Sequence, residues 1–176
     1  MTTDQFIMDV QRFESVSAVG VSALRRQGKG TISKIQNFLA ELDLAALSTV
    51  EDQASFGAWL DSQTEELTRL HHTTPIKWGV ARKALNLFLC DCLYNKYLST
   101  RFRLETIESF LEVPLDSIIA RELKRSAGRG QLPGWSGLRK LTESQSTQFQ
   151  GYASQMASQK MIARVHLDVG LWVNNR

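Results

Sequence analysis

The stretch IKWGVARKALNLFLCDCLYNKY, residues 76–97, decides the fold. Its apolar side chains (Trp78, Val80, Ala81, Ala84, Leu85, Leu87, Phe88, Leu89 and Leu93) fall on nearly every side of a helical wheel. A helix that is apolar all round is buried on all sides, so this one is expected at the centre of the molecule. Thr74-Pro75 reads as its N-cap and first helical residue. Gly79 is the exception and points to a turn rather than a helix interior.

Working outward, the remaining segments also carry helical spacing. Phe6, Ile7, Val10 and Phe13 form one apolar stripe, and Ile32, Ile35, Phe38, Leu39 and Leu42 another. Thr49 with Asp52 resembles a capping box that opens a helix with Phe56, Trp59, Leu60, Leu67 and Leu70 inward. Leu104, Ile107, Phe110 and Leu111 make a short helix that Pro114 ends. Asp116 reads as the N-cap of a helix bearing Ile118, Ile119 and Leu123. Thr142 starts the last clear helix, with Phe149, Tyr152, Ala153, Met156 and Ala157 inward. In the tail, Val165, Leu167, Val169 and Leu171 alternate as a strand would, while Val165, Val169 and Trp172 fit a helix. With no partner strand elsewhere, helix is the reading taken. The expectation is a single all-α domain spanning residues 1–176, of about eight helices.

The bulk numbers bound the function. A chain of 176 residues suits one domain and buries enough surface to fold without a metal or disulfide. Its net charge of +3 and pI of about 9.0 permit a polyanionic partner without demanding one, and fall short of a DNA-packaging protein. The start mixes Asp4, Gln5, Asp9 and Arg12 among apolar residues, unlike a signal peptide. The longest apolar run, Ala84 to Leu93, is too short to span a bilayer, so no membrane partner is expected. Cys90 and Cys92, two apart on a helix, point to different sides and do not pair. These features together suit a reducing cytoplasm.

Two basic segments stand out. Arg25, Arg26 and Lys29, with Gly28 and Gly30, precede a helix and suit a phosphate, although they do not form a nucleotide-binding P-loop. The second, around the loop from Arg125 to Lys140, carries Arg121, Lys124, Arg125, Arg129, Arg139 and Lys140, with Trp135 within it. Positive charge would hold phosphates there, and the tryptophan would stack on a base. A solvated loop with its tryptophan folded inward is the plainer alternative for both. Arg164 and Asp168 are expected to form a surface salt bridge. His71, His72 and His166 are too sparse for a metal site, and no cofactor is expected.

The segment Trp78-Gly79-Val80-Ala81-Arg82-Lys83-Ala84, followed by Val113-Pro114-Leu115-Asp116-Ser117-Ile118-Ile119, resembles the lysine helix and catalytic-aspartate segment of helix-hairpin-helix DNA glycosylases. The long gap between Lys83 and Asp116 is closest in layout to the archaeal oxoguanine glycosylase branch. The likeness covers about the middle quarter of the chain. One glycine stands where that hairpin usually has two, and no four-cysteine cluster is present for an iron–sulfur centre. The same pieces resemble an uncharacterised bacterial family, which implies no function.

The glycosylase resemblance implies cleavage of the N-glycosidic bond of a damaged or modified base flipped out of DNA, in repair or in defence against modified foreign DNA. Lys83 would be the nucleophile and Asp116 its electrostatic partner. DNA would be held by Arg25, Arg26, Lys29, Lys77, Gly79, Arg82 and Arg129, and the base contacted by Trp78 and Trp135. The alternative is a non-catalytic helical module that binds DNA or a protein, with Lys83 reaching to water and Asp116 serving only as a helix cap.

Overall fold

A computed structural model describes residues 2–20, 22–24, 27, 29–70 and 75–173, without the side chains of Lys29 and Trp172. The described residues form eight α-helices and four short 3-10 helices, with no strand. The helices are α1 (Thr3–Ala18), α2 (Lys29–Ala40), α3 (Gln53–Arg69), α4 (Trp78–Tyr94), α5 (Lys96–Phe102), α6 (Ser117–Ala127), α7 (Glu143–Gln159) and α8 (Leu167–Val173). The all-α expectation holds, and so does the helical reading of the tail. No described helix is long and apolar enough to cross a membrane.

Helix α4 is the axis of the molecule. It touches α1, α2, α3, α5 and α7. Ala81, Ala84, Leu85, Phe88 and Cys92 along it are inaccessible to solvent. Burying a side chain of Leu or Phe size stabilises by roughly 1.5–3 kcal/mol, so this one helix supplies much of the hydrophobic driving force. A first cluster of buried residues gathers around α4 from α1 to α5. A second, built on Val113, Ile119, Leu123, Phe149 and Leu167, joins α6, α7 and α8. Leu138 packs against both.

The boundaries depart from the sequence reading for local reasons. The central helix begins at Trp78, with Lys77 in the N-cap position and no side-chain cap. Gly79 is therefore inside the first helical turn and does not make a turn of its own. Thr74 lies outside the described residues. The segment 76–97 is also two helices, because Asn95 caps α5 by accepting hydrogen bonds from Tyr97 N (3.0 Å) and Leu98 N (3.3 Å). The capping box of α3 is Asp52 with Ser55, whereas Thr49 closes the 3-10 helix Leu44–Thr49. On α1 the buried face is Ile7, Gln11, Ser15 and Ala18, and Phe13 points outward at 69% exposure. Gln11 is buried because its amide donates to the carbonyls of Leu39 (3.2 Å) and Leu42 (2.8 Å) at the end of α2.

Candidate active site

Lys83 sits in the second turn of α4, one turn deeper than a glycine turn at 79 would place it. It is 7% exposed. Its ammonium donates to the carbonyl of Ala23 at 3.0 Å and to Asp116 Oδ2 at 3.4 Å. Asp116 is the N-cap of α6. Its Oδ1 accepts from the amides of Ile118 (2.8 Å) and Ile119 (3.0 Å). Lys83 and Asp116, thirty-three residues apart in the chain, therefore meet.

The chain ahead of Asp116 is held as firmly. Val113, Pro114 and Leu115 are buried. Gln150 of α7 clamps Val113 from both sides: Val113 N donates to Gln150 Oε1 (3.1 Å), and Gln150 Nε2 donates to Val113 O (2.8 Å). Pro114 supplies no backbone donor, so its burial leaves no amide unsatisfied. The aspartate thus enters α6 from a fixed extended segment, and its carboxylate has little freedom.

The pair lines a cavity of about 1360 Å³. Val80, Lys83, Leu87 and Asp91 form one wall, a stripe along a single face of α4. Pro114, Asp116 and Ile118 face it, the turn at 22–24 contributes Ala23, and Trp135 to Lys140 supply a third side. Asp168 of α8 completes the lining. The cationic side chains Lys77, Arg139 and Lys140 also line it, at solvent-exposed positions. The charge is thus divided: cations at exposed positions, and three carboxylates with the lysine on the walls.

Burial sets the protonation of two of those carboxylates. It raises the Asp91 carboxyl to about 6, with a further push from Glu14. It raises Asp168 to about 6 as well, and there the Asp116 and Asp91 charges add to the rise while Lys83 opposes it.

The other expected residues divide clearly. Lys77 and Trp135 line the cavity, with Trp135 half-buried and edge-on to Phe149 at 5.8 Å. Arg129 is exposed in its loop and away from the cavity lining. Arg25, Arg26 and the Lys29 side chain lie outside the described residues, as do His71 and His72.

Arg82, expected among the DNA contacts, turns inward and is 7% exposed. Its guanidinium grips Glu112 through two bonds (2.9 and 3.0 Å) and also donates to Asp61 (2.7 Å) and Thr64 (3.1 Å). It lies 5.3 Å from the centre of the Trp78 ring, and Trp78 is not among the residues lining the cavity. Gly79 is likewise a packing residue. A Cβ there would collide with the carbonyl oxygen of Leu138 and lie 2.8 Å from Leu141 Cβ. Its absence lets the 138–141 segment close against α4 and form the cavity wall.

Arg164 does not pair with Asp168. It donates to the carbonyls of Phe110 (2.7 Å) and Leu111 (2.9 Å), leaving Asp168 to the cavity. His166 is engaged by Glu108 (2.7 Å) and Tyr94 (2.7 Å). Among the described residues no His, Cys, Asp or Glu side chains gather as a metal would require. Both cysteines are free and buried.

Arg139 and Lys140 of the basic loop line the cavity, and Asp91 and Asp168 join them there without being expected from sequence. Asp91 has a signal, being an acid in an otherwise apolar helix, two turns beyond Lys83 on the same face. Asp168 has none, because the sequence of its short helix is itself ambiguous.

No known protein family, curated protein or solved structure matches this chain. Its function is therefore to be read from the cavity.

Proposed function

We propose that this chain cleaves the N-glycosidic bond of a damaged or modified base in DNA, drawing the nucleotide out of the duplex and into the Lys83–Asp116 cavity. The observation that carries the reading is the 3.4 Å approach of Lys83 Nζ to Asp116 Oδ2 on the wall of one cavity. An amine attacks the sugar carbon that bears the base and forms a Schiff base after ring opening. A carboxylate beside that carbon stabilises the positive charge that develops as the base departs. Asp116 is suited to this because two backbone amides already fix its other oxygen, so no reorganisation is needed at the moment of reaction.

The volume and charge of the cavity support the same reading. Ligand pockets commonly run from about 300 to 1,000 Å³, so a cavity of this size has room for an extruded nucleotide. Lys77, Arg139 and Lys140 at exposed positions would meet the flanking phosphates. Excision of this kind serves DNA repair or defence against foreign DNA bearing unusual bases. The test is borohydride trapping on duplexes that carry varied lesions, an abasic site included. A covalent protein–DNA adduct is expected from the native chain and not from Lys83→Gln.

One observation favours a second reading. Lys83 also donates to Ala23, and Asp116 also caps α6, so the pair ties three segments together as a structural joint would. On that reading the chain is a non-catalytic helical module that binds DNA or a protein partner. It would bind without ever forming an adduct.

A further inference from the structure

We infer that Asp168, carried to the cavity by α8, is the proton acceptor that frees the Lys83 amine for attack. This rests on the reading of Lys83 as a nucleophile. Asp116 is unable to take that proton and still do its own work. To stabilise a developing cation, Asp116 must keep its negative charge, and one of its oxygens is already committed to the amides of Ile118 and Ile119. A proton taken from Lys83 would cancel that charge at the moment it is needed. The two tasks conflict on one carboxylate, so a second is required.

The cavity offers two more carboxylates, Asp91 and Asp168, and they are not equivalent. Asp91 lies eight residues beyond Lys83 on the same helix, about 12 Å along its axis. The charge that bears on it is Glu14, outside the reacting pair. Asp168 lines the same cavity as Lys83 and Asp116, and the charges of both bear on it. Its helix packs against α6, which Asp116 caps. The tail is fixed on either side of His166, with Val165 in the first apolar cluster and Leu167 in the second. Arg164, the residue expected to pair with it, is spent on the carbonyls of residues 110 and 111, which leaves Asp168 without that partner.

Among the described residues, Asp91, Cys90 and Tyr94 of α4 share fields with Asp168, and Lys77, Arg139 and Lys140 line the same cavity at exposed positions. On α6, Glu122 is taken up by Arg121 and Arg125. Lys83 is the buried cation whose charge bears on Asp168. Its carboxyl stands at about 6, so at neutral pH it is ionised and yet basic enough to compete for a proton.

The step balances. The Lys83 ammonium gives a proton to the Asp168 carboxylate, directly or through one water. The amine nitrogen bonds to the sugar carbon as the carbon–base bond breaks, and the electron pair of that broken bond leaves with the base. Asp168 then returns the proton to the departing base.

The test is the pH dependence of the single-turnover borohydride-trapping rate for the native chain and for Asp168→Asn. The substitution removes a carboxylate that burial disfavours and is expected to leave the fold intact, which circular dichroism checks. The native rate should rise with pH through an inflection near 6. In Asp168→Asn that inflection should vanish and the rate near pH 7.5 should fall about 100-fold, with duplex affinity unchanged. A variant profile that overlays the native one overturns the inference, as does a slower profile that keeps its inflection. Either result leaves the Lys83 adduct, and so the proposed function, standing. Absence of an adduct from the native chain removes both.

Discussion

Asp116 divides its carboxylate between two tasks: Oδ1 holds the amides of Ile118 and Ile119 at the start of α6, and Oδ2 faces Lys83 Nζ at 3.4 Å. The division allows helix capping to be separated from charge pairing. Asn caps a helix about as well as Asp, while Ala does not. Asp116→Asn should keep the cap and lose the pair; Asp116→Ala should lose both and be less stable than the Asn variant by about 1 kcal/mol. Denaturant titrations of the two variants measure the difference. Equal stabilities would mean that the cap contributes nothing.

Two carboxyls in the cavity predict an inverted pH dependence. Asp91 and Asp168 rise from 3.8 to about 6 on folding. Between those values the folded chain binds more protons than the unfolded one, so each group's contribution to stability falls as pH rises from about 4 to 6. Replacing either with Asn should therefore raise the melting temperature more at pH 7 than at pH 4.5. Parallel melts of variant and native chain at both pH values would show that neither carboxyl is perturbed.

Gly79 is predicted to be intolerant for packing reasons. Alanine has the better helix propensity by about 1 kcal/mol. The added methyl would nevertheless meet the Leu138 carbonyl and Leu141 Cβ, and overpacking against such atoms costs about 1–3 kcal/mol. A net loss of stability is expected in a thermal melt of Gly79→Ala, together with weaker function because the 138–140 wall of the cavity moves. A stabilised Gly79→Ala would contradict the close approach.

The exposed cations are predicted to act through charge alone. Reversing Lys77, Arg139 and Lys140 to Glu should weaken duplex binding on every sequence. It should also flatten the salt dependence by about 0.9 in log–log slope for each phosphate that is no longer neutralised. Arg129→Glu, away from the cavity, should do much less. Equal effects at the two places would detach DNA binding from the cavity.

The features legible in the sequence share a physical cause. Residues 78–94 are legible because a helix surrounded on all sides must be apolar on all sides. Asp116 and Thr142 are legible because caps are local. Arg82 is not, because an arginine pairing with Glu112 and Asp61, thirty and twenty-one residues distant, looks in sequence like a free cation. Gly79 misleads because its neighbour across the gap, Leu138, lies far along the chain. The Lys83–Asp116 meeting is anticipated only through a resemblance. Asp168 is not anticipated at all, since nothing local marks where a short terminal helix will dock.

If Lys83 is the nucleophile proposed above, it becomes covalently bonded to a DNA sugar. Peptide mapping by mass spectrometry of the borohydride-reduced adduct locates that bond. A sugar remnant is expected on the peptide carrying Lys83, and no adduct from Lys83→Gln even where that variant binds the duplex as tightly as the native chain. A remnant mapped to any other amine, or an adduct that survives Lys83→Gln undiminished, would contradict the claim.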